Sequence, residues 1–211
     1  MEDVLVYARP HDPRFPVVCL DEKSKELHST PRGTLPPAVG KVQREDYEYE
    51  RHGTANLFLW VEPLTGRRRV DVTQRRTACD FALQLQTLVD VDFPEAEKVV
   101  LVTDNLNTHK TACLYERFDA ATASRIARRI EWHYTPEHGS WLNMAECELS
   151  VLGRQCLNRR IPDMQTLEQE VAQWQDERNV TAVTIDWQFT DEEARIKLKR
   201  LYPVVNVKRS S

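Results

Sequence analysis

The stretch VVLVTDNLNTH, Val99 to His109, decides the fold of this 211-residue chain. Its first five residues, VVLVT, are mostly valine and leucine, a run typical of a buried β-strand. The run stops at Asp104, and the polar residues Asn105, Asn107 and Thr108 that follow favour a turn. Because open α/β sheets bind ligands at the carboxyl ends of their strands, Asp104 is a candidate for chemistry. A turn residue or a helix cap explains it equally well until partners are found.

Composition narrows the class of protein. The chain has 211 residues, of which 41% are hydrophobic and 29% charged, as expected for one globular domain. No apolar run reaches membrane-spanning length and the start, MEDVLVYARP, lacks the features of a secretory signal, so we expect a cytoplasmic protein without a membrane partner. Five widely spaced cysteines without a CxxC pair indicate neither a disulfide framework nor a zinc site. The net charge of −4 argues against a surface that is basic throughout.

A second strand that ends in an acid is predicted near the start of the chain. Residues Met1 to Tyr7 are interpreted as the tail of a helix that Pro10 and Pro13 cut off, and residues 1–14 as a whole as a linker remnant. The run FPVVCL, Phe15 to Leu20, is of strand type and leads into Asp21. Because successive residues of a strand point to opposite faces, we expect the neighbouring Glu22 to be a solvated residue and not a ligand.

The remaining pattern predicts a mixed α/β sheet flanked by helices. Two strands and a tight turn form a hairpin, an amphipathic helix follows, and two short helices separate the Val99 strand from one more strand. The region from Thr30 to Gly53 is rich in turn formers and is predicted to be a long loop, with a separate short strand at Lys25–His28 before it. The other predicted strands are Thr54–Glu62, Arg67–Thr73 and Ile130–Tyr134, and the helices are Thr77–Val89, Thr111–Phe118 and Ala120–Arg129.

A helix with a catalytic candidate is predicted from Trp141 to Leu157, with Ser140 as its N-cap. Its apolar residues form one stripe that must dock on the sheet. Glu146 lies about 85° to one side of that stripe and Glu148 about 75° to the other, so spacing alone does not choose between them. Two further helices are predicted, Met164–Arg178 after the cap Asp163 and Asp191–Leu201.

These elements bring acids to one rim of the sheet. Asp21 and Asp104 follow two strands, and a glutamate stands in the first turns of a helix. Clustered carboxylates repel one another unless a cation neutralises them, and oxygen ligands suit Mg²⁺ or Mn²⁺. Two such ions can promote an in-line attack on phosphorus. The residues therefore indicate phosphodiester chemistry.

The sequence resembles the DDE-type transposases of the mariner superfamily, and within it the bacterial insertion-sequence family six-thirty. The ordered motifs TDNLNTH and TPxHGSWLNxxE are long enough to be specific, and the likeness covers nearly the whole chain. The stretches that carry it are VVCLDEKSKEL around Asp21, GTANLFLWVEP at Gly53–Pro63, LVTDNLNTHK around Asp104, and HYTPEHGSWLNMAECELSVLGRQ at His133–Gln155.

The resemblance implies a ribonuclease H-like catalytic domain over residues 15–211. Its metal-binding and catalytic triad falls on Asp21, Asp104 and Glu146, which resolves the choice against Glu148. By this likeness the triad binds two Mg²⁺ or Mn²⁺ ions, cleaves DNA strands at transposon ends and transfers them to target DNA, typically at a TA dinucleotide. Water and then a freed 3′-hydroxyl act as nucleophiles, without a covalent enzyme intermediate.

Members of this family carry N-terminal helix-turn-helix DNA-binding domains, and we expect this domain to be absent here. The expected partners are transposon-end and target DNA, a second copy of the chain in a homodimer, or a separate DNA-binding module. An enzyme of this kind is expected to associate with the nucleoid.

Three further residues are candidates near the site. Asn105 and His109 follow Asp104, and each is a candidate to support a metal ligand or to contact DNA. For His109 the alternatives are a contact with DNA or a nucleophilic water and a structural role at the turn or helix start. Asn143 is expected to fix the entry of the helix or to orient Glu146. Two other functions are compatible with the same residues: a non-catalytic transposase remnant that acts as a dimerisation or regulatory module, and a general ribonuclease H-like nuclease.

Overall fold

The computed structural model describes residues 2–31, 34–35, 40, 44–45, 47–136, 139–197 and 199. Its main feature is one mixed sheet of five strands, and two very short strands pair separately. The strands are β1 (Val17–Ser29), β2 (Thr34–Leu35), β3 (Arg44–Glu45), β4 (Glu50–Glu62), β5 (Arg67–Thr73), β6 (Val99–Thr103) and β7 (Ile130–Tyr134). The order across the main sheet is β5–β4–β1–β6–β7.

Helices cover both faces of the sheet. Short 3₁₀ turns lie at Asn107–His109 and Ser140–Leu142, and π-helical segments at Leu88–Asp92 and Gly153–Leu157. No helix within the described part of the chain is long and apolar enough to cross a bilayer. The helices are α1 (Glu2–Tyr7), α2 (Ala78–Thr87), α3 (Ala112–Arg117), α4 (Ala120–Arg128), α5 (Met144–Leu152), α6 (Met164–Thr181) and α7 (Asp191–Lys197).

Strand β6 has the bounds that its sequence predicts, and it lies between β1 and β7, parallel to both. All five of its residues are buried, because helices pack on both faces of the sheet. On one face β1 and β4 pack against α5 and α6, and on the other they pack against α2, α3 and α4. The predicted mixed α/β sheet flanked by helices is confirmed.

Strand β1 is longer than the sequence pattern indicates. It continues through Asp21 to Ser29 and includes the region Lys25–His28 that is predicted as a separate strand. Its parallel pairing with β6 stops at Cys19, whereas its antiparallel pairing with β4 runs on to Ser29 opposite Glu50. The charged residues after Asp21 hide the strand in the sequence, because the backbone of β4 and not an apolar pattern holds them extended.

The predicted long loop is likewise shorter at its end. Strand β4 begins at Glu50 and not at Thr54, so the last part of the Thr30–Gly53 region belongs to the sheet. Several residues in the middle of that region lie outside the described residues.

Residues 1–14, interpreted as a linker remnant, contain the helix α1, and this helix packs on the core. Val6 is buried in the core beside α5, and the Tyr7 hydroxyl donates a hydrogen bond to the Leu142 carbonyl at 2.8 Å. The same hydroxyl accepts a hydrogen bond from the Met144 backbone N–H. Apolar burial and these bonds attach α1 to the start of α5, although the prolines do end the helix.

The start of α5 also differs from the prediction. Ser140 opens a 3₁₀ turn, and the N-cap is Asn143, whose Oδ1 accepts a hydrogen bond from the Ala145 N–H at 3.1 Å. The predicted apolar stripe is buried, and Asp163 caps α6 as predicted, with Oδ1 accepting from the Thr166 N–H. Residues beyond Lys197, where the last helix is predicted to continue, lie largely outside the described residues.

A buried ion cluster joins α5 to the sheet. The Glu148 carboxylate lies 3.2 Å from Arg68 Nε on β5 and accepts hydrogen bonds from Arg178 Nε and Nη2 on α6, at 2.7 and 3.1 Å. Glu148 and Arg68 are almost completely buried. This cluster fixes the rotation of α5 about its axis and therefore decides which of its glutamates faces the rim of the sheet.

We predict that Glu148→Ala destabilises the fold by about 3–5 kcal/mol, because it leaves two arginines without their buried partner. Glu146→Ala is the matched control on the same helix, and we expect no comparable loss from it. Urea unfolding followed by circular dichroism measures both. Equal losses for the two variants would contradict the assigned orientation of α5.

Candidate active site

Asp21 and Asp104 stand side by side at the carboxyl end of the parallel ladder. The last paired residues there are Cys19 on β1 and Val102 on β6. Each aspartate follows its paired residue by two positions, so the same register places the two acids next to each other. Asp104 comes directly after the end of β6, and its side chain remains 19% exposed. Two neighbouring strands therefore supply the first two acids.

The third acid comes from the first turn of α5. Glu146 lies there with an exposed side chain, at the end of a cleft that borders β1. Glu148, the alternative by spacing, is occupied by its two arginines on the other side of the helix. Tertiary packing thus leaves Glu146 as the glutamate that faces Asp21.

Asn143 connects α5 to the strand that carries Asp21. Its Nδ2 donates a hydrogen bond to the Leu20 carbonyl at 2.9 Å and lies 3.5 Å from Asp21 Oδ2. Its Oδ1 caps α5 at the same time. Asn143 therefore fixes the entry of the helix, and the carboxylate that it contacts is Asp21, whereas the sequence suggests Glu146 as the acid it orients.

The electrostatics of Asp21 show that the three acids interact. Burial, together with the negative charges of Glu146, Asp104 and Glu22, raises the pKa of Asp21 to about 7, although a hydrogen bond from the Glu22 backbone N–H acts in the opposite direction. No lysine, arginine or histidine among the described residues forms an ion pair with Asp21. The charge on this side chain is consequently uncompensated.

This donor set suits a hard divalent cation. Carboxylate oxygens are the ligands that Mg²⁺ and Mn²⁺ prefer, and a cation would compensate the buried charge of Asp21 and relieve its repulsion by the neighbouring acids. Within the described ranges, however, no three His, Cys, Asp or Glu side chains are arranged as a compact metal site. Asp21, Asp104 and Glu146 fit such an ion because all three are carboxylates and because the charges of Asp104 and Glu146 act on Asp21.

His109 supports Asp104 from the interior. Its Nδ1 is hydrogen-bonded to Asp104 Oδ1, its Nε2 lies 2.9 Å from Glu22 Oε2, and its ring stacks on Phe81 with centroids 4.2 Å apart. Burial opposes the charge of the imidazolium, but the pairing with the two carboxylates outweighs it and raises the pKa of His109 to about 9. Since the side chain is only 1% exposed, it offers DNA no surface, and the expected DNA contact does not hold for this residue.

Glu22 is the residue that sequence reasoning misjudged. Its side chain is 3% exposed and not solvated, because it points to the opposite face of β1 from Asp21 and meets His109 there. Two consecutive residues of β1 thus serve the site, one directly and one through His109. The adjacent acids in the sequence LDEK were a signal, but only the packing of the 3₁₀ turn at Asn107–His109 against β1 reveals the partner. Asn105, the remaining candidate, is exposed in the loop after β6.

Comparison with known protein families identifies the family of this chain. The sequence model for the DDE superfamily endonuclease family matches residues 16–168. That range covers most of the chain and all three acids, and the chain belongs to this family. A search of curated proteins found no match.

Solved structures of a mariner transposase share the fold. The chain is similar to the Mos1 mariner paired-end complex with Mn, with a TM-score of 0.57 and 16% identity over 85% of this chain and 54% of that one. For a pre-cleavage Mos1 transpososome the TM-score is 0.54 and the identity 13%, over 85% of this chain and 58% of that one. For the Mos1 strand transfer complex the TM-score is 0.52 and the identity 14%, over 82% of this chain and 50% of that one. The sheet and its helices are therefore those of a ribonuclease H-like domain, and the chain spans about half the length of the proteins that it matches.

We predict that Asp21→Asn stabilises the metal-free protein at alkaline pH. The folded-state pKa of about 7 exceeds the usual value of 3.8, so the folded protein binds this proton more tightly and its stability falls as the pH rises from about 4 through 7. Asparagine lacks the charge, and the advantage of the variant should grow by about 1–3 kcal/mol between pH 5 and pH 8. Urea unfolding in a chelator measures it; a constant difference would contradict the raised pKa.

A second prediction concerns the pair of His109 and Glu22. A double-mutant cycle with His109→Asn and Glu22→Gln should give a coupling free energy of about 1–3 kcal/mol at pH 7. Because the folded-state pKa of about 9 lies above the usual 6.5, this contribution is complete below pH 6.5 and is lost as the pH rises through 9.

The matched control is the more exposed pair of His133 and Glu131, 2.8 Å apart, for which the same cycle should give less than about 0.5 kcal/mol. Urea unfolding at pH 7 and pH 10 measures both cycles. Equal coupling for the two pairs, or a coupling that persists at pH 10, would refute the assignment.

Proposed function

We propose that this chain is the catalytic domain of a DDE transposase, which cleaves DNA strands at transposon ends and joins them to target DNA. The observation that carries the proposal is the register that places Asp21 beside Asp104, together with the effect of the Glu146 charge on Asp21 from α5. Membership of the DDE superfamily endonuclease family and the likeness to the Mos1 transpososome and strand transfer complexes support it. The catalytic unit spans residues 15–211 and, because α1 packs against it, the preceding helix as well.

The proposed cofactor is a pair of Mg²⁺ or Mn²⁺ ions held by Asp21, Asp104 and Glu146. Such ions, when bound, activate a nucleophilic oxygen and stabilise the oxygen that leaves phosphorus. The Mos1 paired-end complex to which the chain is similar was solved with Mn, which is consistent with this choice.

The chain's own residues position the acids for this chemistry. Asn143 fixes Asp21 against the start of α5, and His109, backed by Glu22, fixes Asp104. The site has no nucleophilic side chain poised beside a base in the part that the structure describes, so the proposed reaction is a direct displacement at phosphorus. Water attacks first, and the P–O bond to the 3′-oxygen breaks. The freed 3′-hydroxyl then loses its proton and attacks a target phosphodiester, where a new P–O bond forms as the bond to the target's own 3′-oxygen breaks, and that oxygen leaves and takes up a proton. No covalent enzyme intermediate forms.

The proposed partners follow from this reaction. They are transposon-end DNA, target DNA cut at a TA dinucleotide, and a second copy of the chain, since joining two ends needs two active sites. Sequence-specific recognition of the ends would come from a separate DNA-binding module, and work on chromosomal DNA would place the protein at the nucleoid.

We predict that Asp104→Asn abolishes both Mn²⁺ binding and Mn²⁺-dependent strand cleavage. Isothermal calorimetry measures the first without any need for the transposon ends, and nicking of a supercoiled plasmid measures the second. The matched control is Glu97→Gln, which removes an exposed carboxylate just before the amino-terminal end of β6, at the opposite end of that strand from Asp104. It should change neither Mn²⁺ binding nor cleavage.

The same assay separates the alternatives. A wild-type chain that binds no Mn²⁺ would favour the non-catalytic remnant, and equal cleavage of RNA–DNA hybrids and duplex DNA would favour a general ribonuclease H-like nuclease. Plasmid cleavage that survives Asp104→Asn would overturn the proposed site.

A further inference from the structure

An open cleft of about 640 Å³ leads away from the proposed catalytic acids. One wall is the part of β1 beyond Asp21, and the other is a single stripe of α5 and its π-helical extension. That stripe comprises Glu146, Leu149, Ser150, Gly153, Arg154 and Leu157. Its length is about 16 Å at 1.5 Å per residue, enough for about four or five nucleotides of a B-form strand.

Two lysines and one arginine line this cleft. Residues of β1 alternate between faces, so Lys23 and Lys25 lie on the same face as Asp21, in the direction of α5. Lys25 is engaged, because its Nζ donates hydrogen bonds to the carbonyls of Leu157 and Arg159, both at 2.8 Å. Lys25 thus closes the far end of the cleft and fixes the two walls together.

Lys23 and Arg154 are the basic groups that remain accessible. Both are exposed, and neither forms an ion pair with a carboxylate of a described residue. Among the described residues, the guanidinium of Arg154 donates to the Ser150 hydroxyl alone, at 2.7 Å, one turn earlier on its own helix. Two cationic groups with no ion-pair partner among the described residues therefore line opposite walls of the cleft.

Gly153 keeps this passage open between the two walls. Its conformation is helical, with φ −54° and ψ −47°, so its backbone does not require glycine. A Cβ at this position would stand 3.3 Å from Lys23 Nζ. The missing side chain gives the lysine ammonium room directly beside the helix backbone.

We propose that this cleft binds the sugar–phosphate backbone of one DNA strand, next to the phosphodiester that reacts at the acids. Lys23 and Arg154 contact successive phosphates from opposite walls, without contact to base edges, so the site is independent of sequence. This inference rests on the proposed function for its ligand. It names the path of the strand: from the acids, between β1 and α5, over Gly153.

Charge supports an anionic occupant. The whole chain has a net charge of −4, so a non-specific attraction by the entire surface does not bring DNA to the site. Glu146 and Glu22 border one end of the cleft, but the Glu22 carboxylate is turned into the interior towards His109. Beyond Glu146 the accessible charges of the cleft are positive.

Fluorescence anisotropy with a labelled 20-base-pair duplex tests the proposal. The full chain carries Asp104→Asn and the buffer contains a chelator, so no cleavage interferes. Adding Lys23→Gln and Arg154→Gln together should raise the Kd at least fivefold at 100 mM NaCl. The slope of log K against log salt should become shallower by about 2, one for each lost phosphate contact.

The matched control is the pair Lys98→Gln and Arg128→Gln. This pair removes the same charge near the amino-terminal ends of β6 and β7, at the other end of these strands from the acids. Arg128 resembles Arg154 because it donates to a serine hydroxyl one turn earlier, that of Ser124. Its Kd should stay within twofold of the parent. Gly153→Asp is a second, independent variant: it adds a negative charge in the cleft without backbone strain and should weaken binding by a similar factor.

The outcomes separate this inference from the proposed function. A Kd and salt slope equal to those of the control pair, with circular dichroism showing a folded protein, would overturn the cleft. If the variant with Lys23→Gln and Arg154→Gln does not fold, an unchanged Kd for Gly153→Asp would by itself overturn the proposed binding in the cleft. Absence of cleavage by the wild-type chain, together with weaker binding by the cleft variants, would contradict the catalytic proposal and leave the cleft in place.

Discussion

The parallel pairing of β1 with β6 is the constraint on which the rest of the structure depends. Its register, Val17 with Val100 through Cys19 with Val102, brings Asp21 and Asp104 to one rim. Because β6 is buried on both faces, a slip that moved Asp104 into the paired part of the strand would bury its carboxylate between the helices, so the desolvation cost disfavours that register. The site inherits its geometry from the most buried strand of the molecule.

Around this ladder, two buried ion clusters keep charged groups in fixed places. Glu148 with Arg68 and Arg178 sets the rotation of α5, and His109 with Glu22 holds Asp104. Buried charges cost desolvation free energy and stabilise little unless well paired, so their main effect here is orientation. The acids themselves destabilise the metal-free fold, since burial raises the pKa of Asp21. Such a trade of stability for function is common at active sites.

Strong local patterns were enough for most elements. The valine run of β6, the capped start of α6 and the apolar stripe of α5 have clear periods and end signals, and the structure agrees with them. The errors fell where tertiary contacts override the pattern. β1 continues through charged residues because β4 pairs with it, and Asn143 replaces Ser140 as the cap because it also reaches the Leu20 carbonyl.

The sequence by itself determined the mixed α/β sheet and the place of Asp104 at the end of a strand, and through the family motifs it predicted Glu146 in preference to Glu148. It could do so because strand burial, turn residues and ordered motifs are local properties. Only the tertiary structure decided what each acid meets. Residues distant in sequence had to come together before Glu148 could be seen to face arginines, Glu22 to pair with His109, and Lys23 to lie opposite Arg154 across a cleft. Burial and pairing of charges depend on three-dimensional neighbours, which no local pattern encodes.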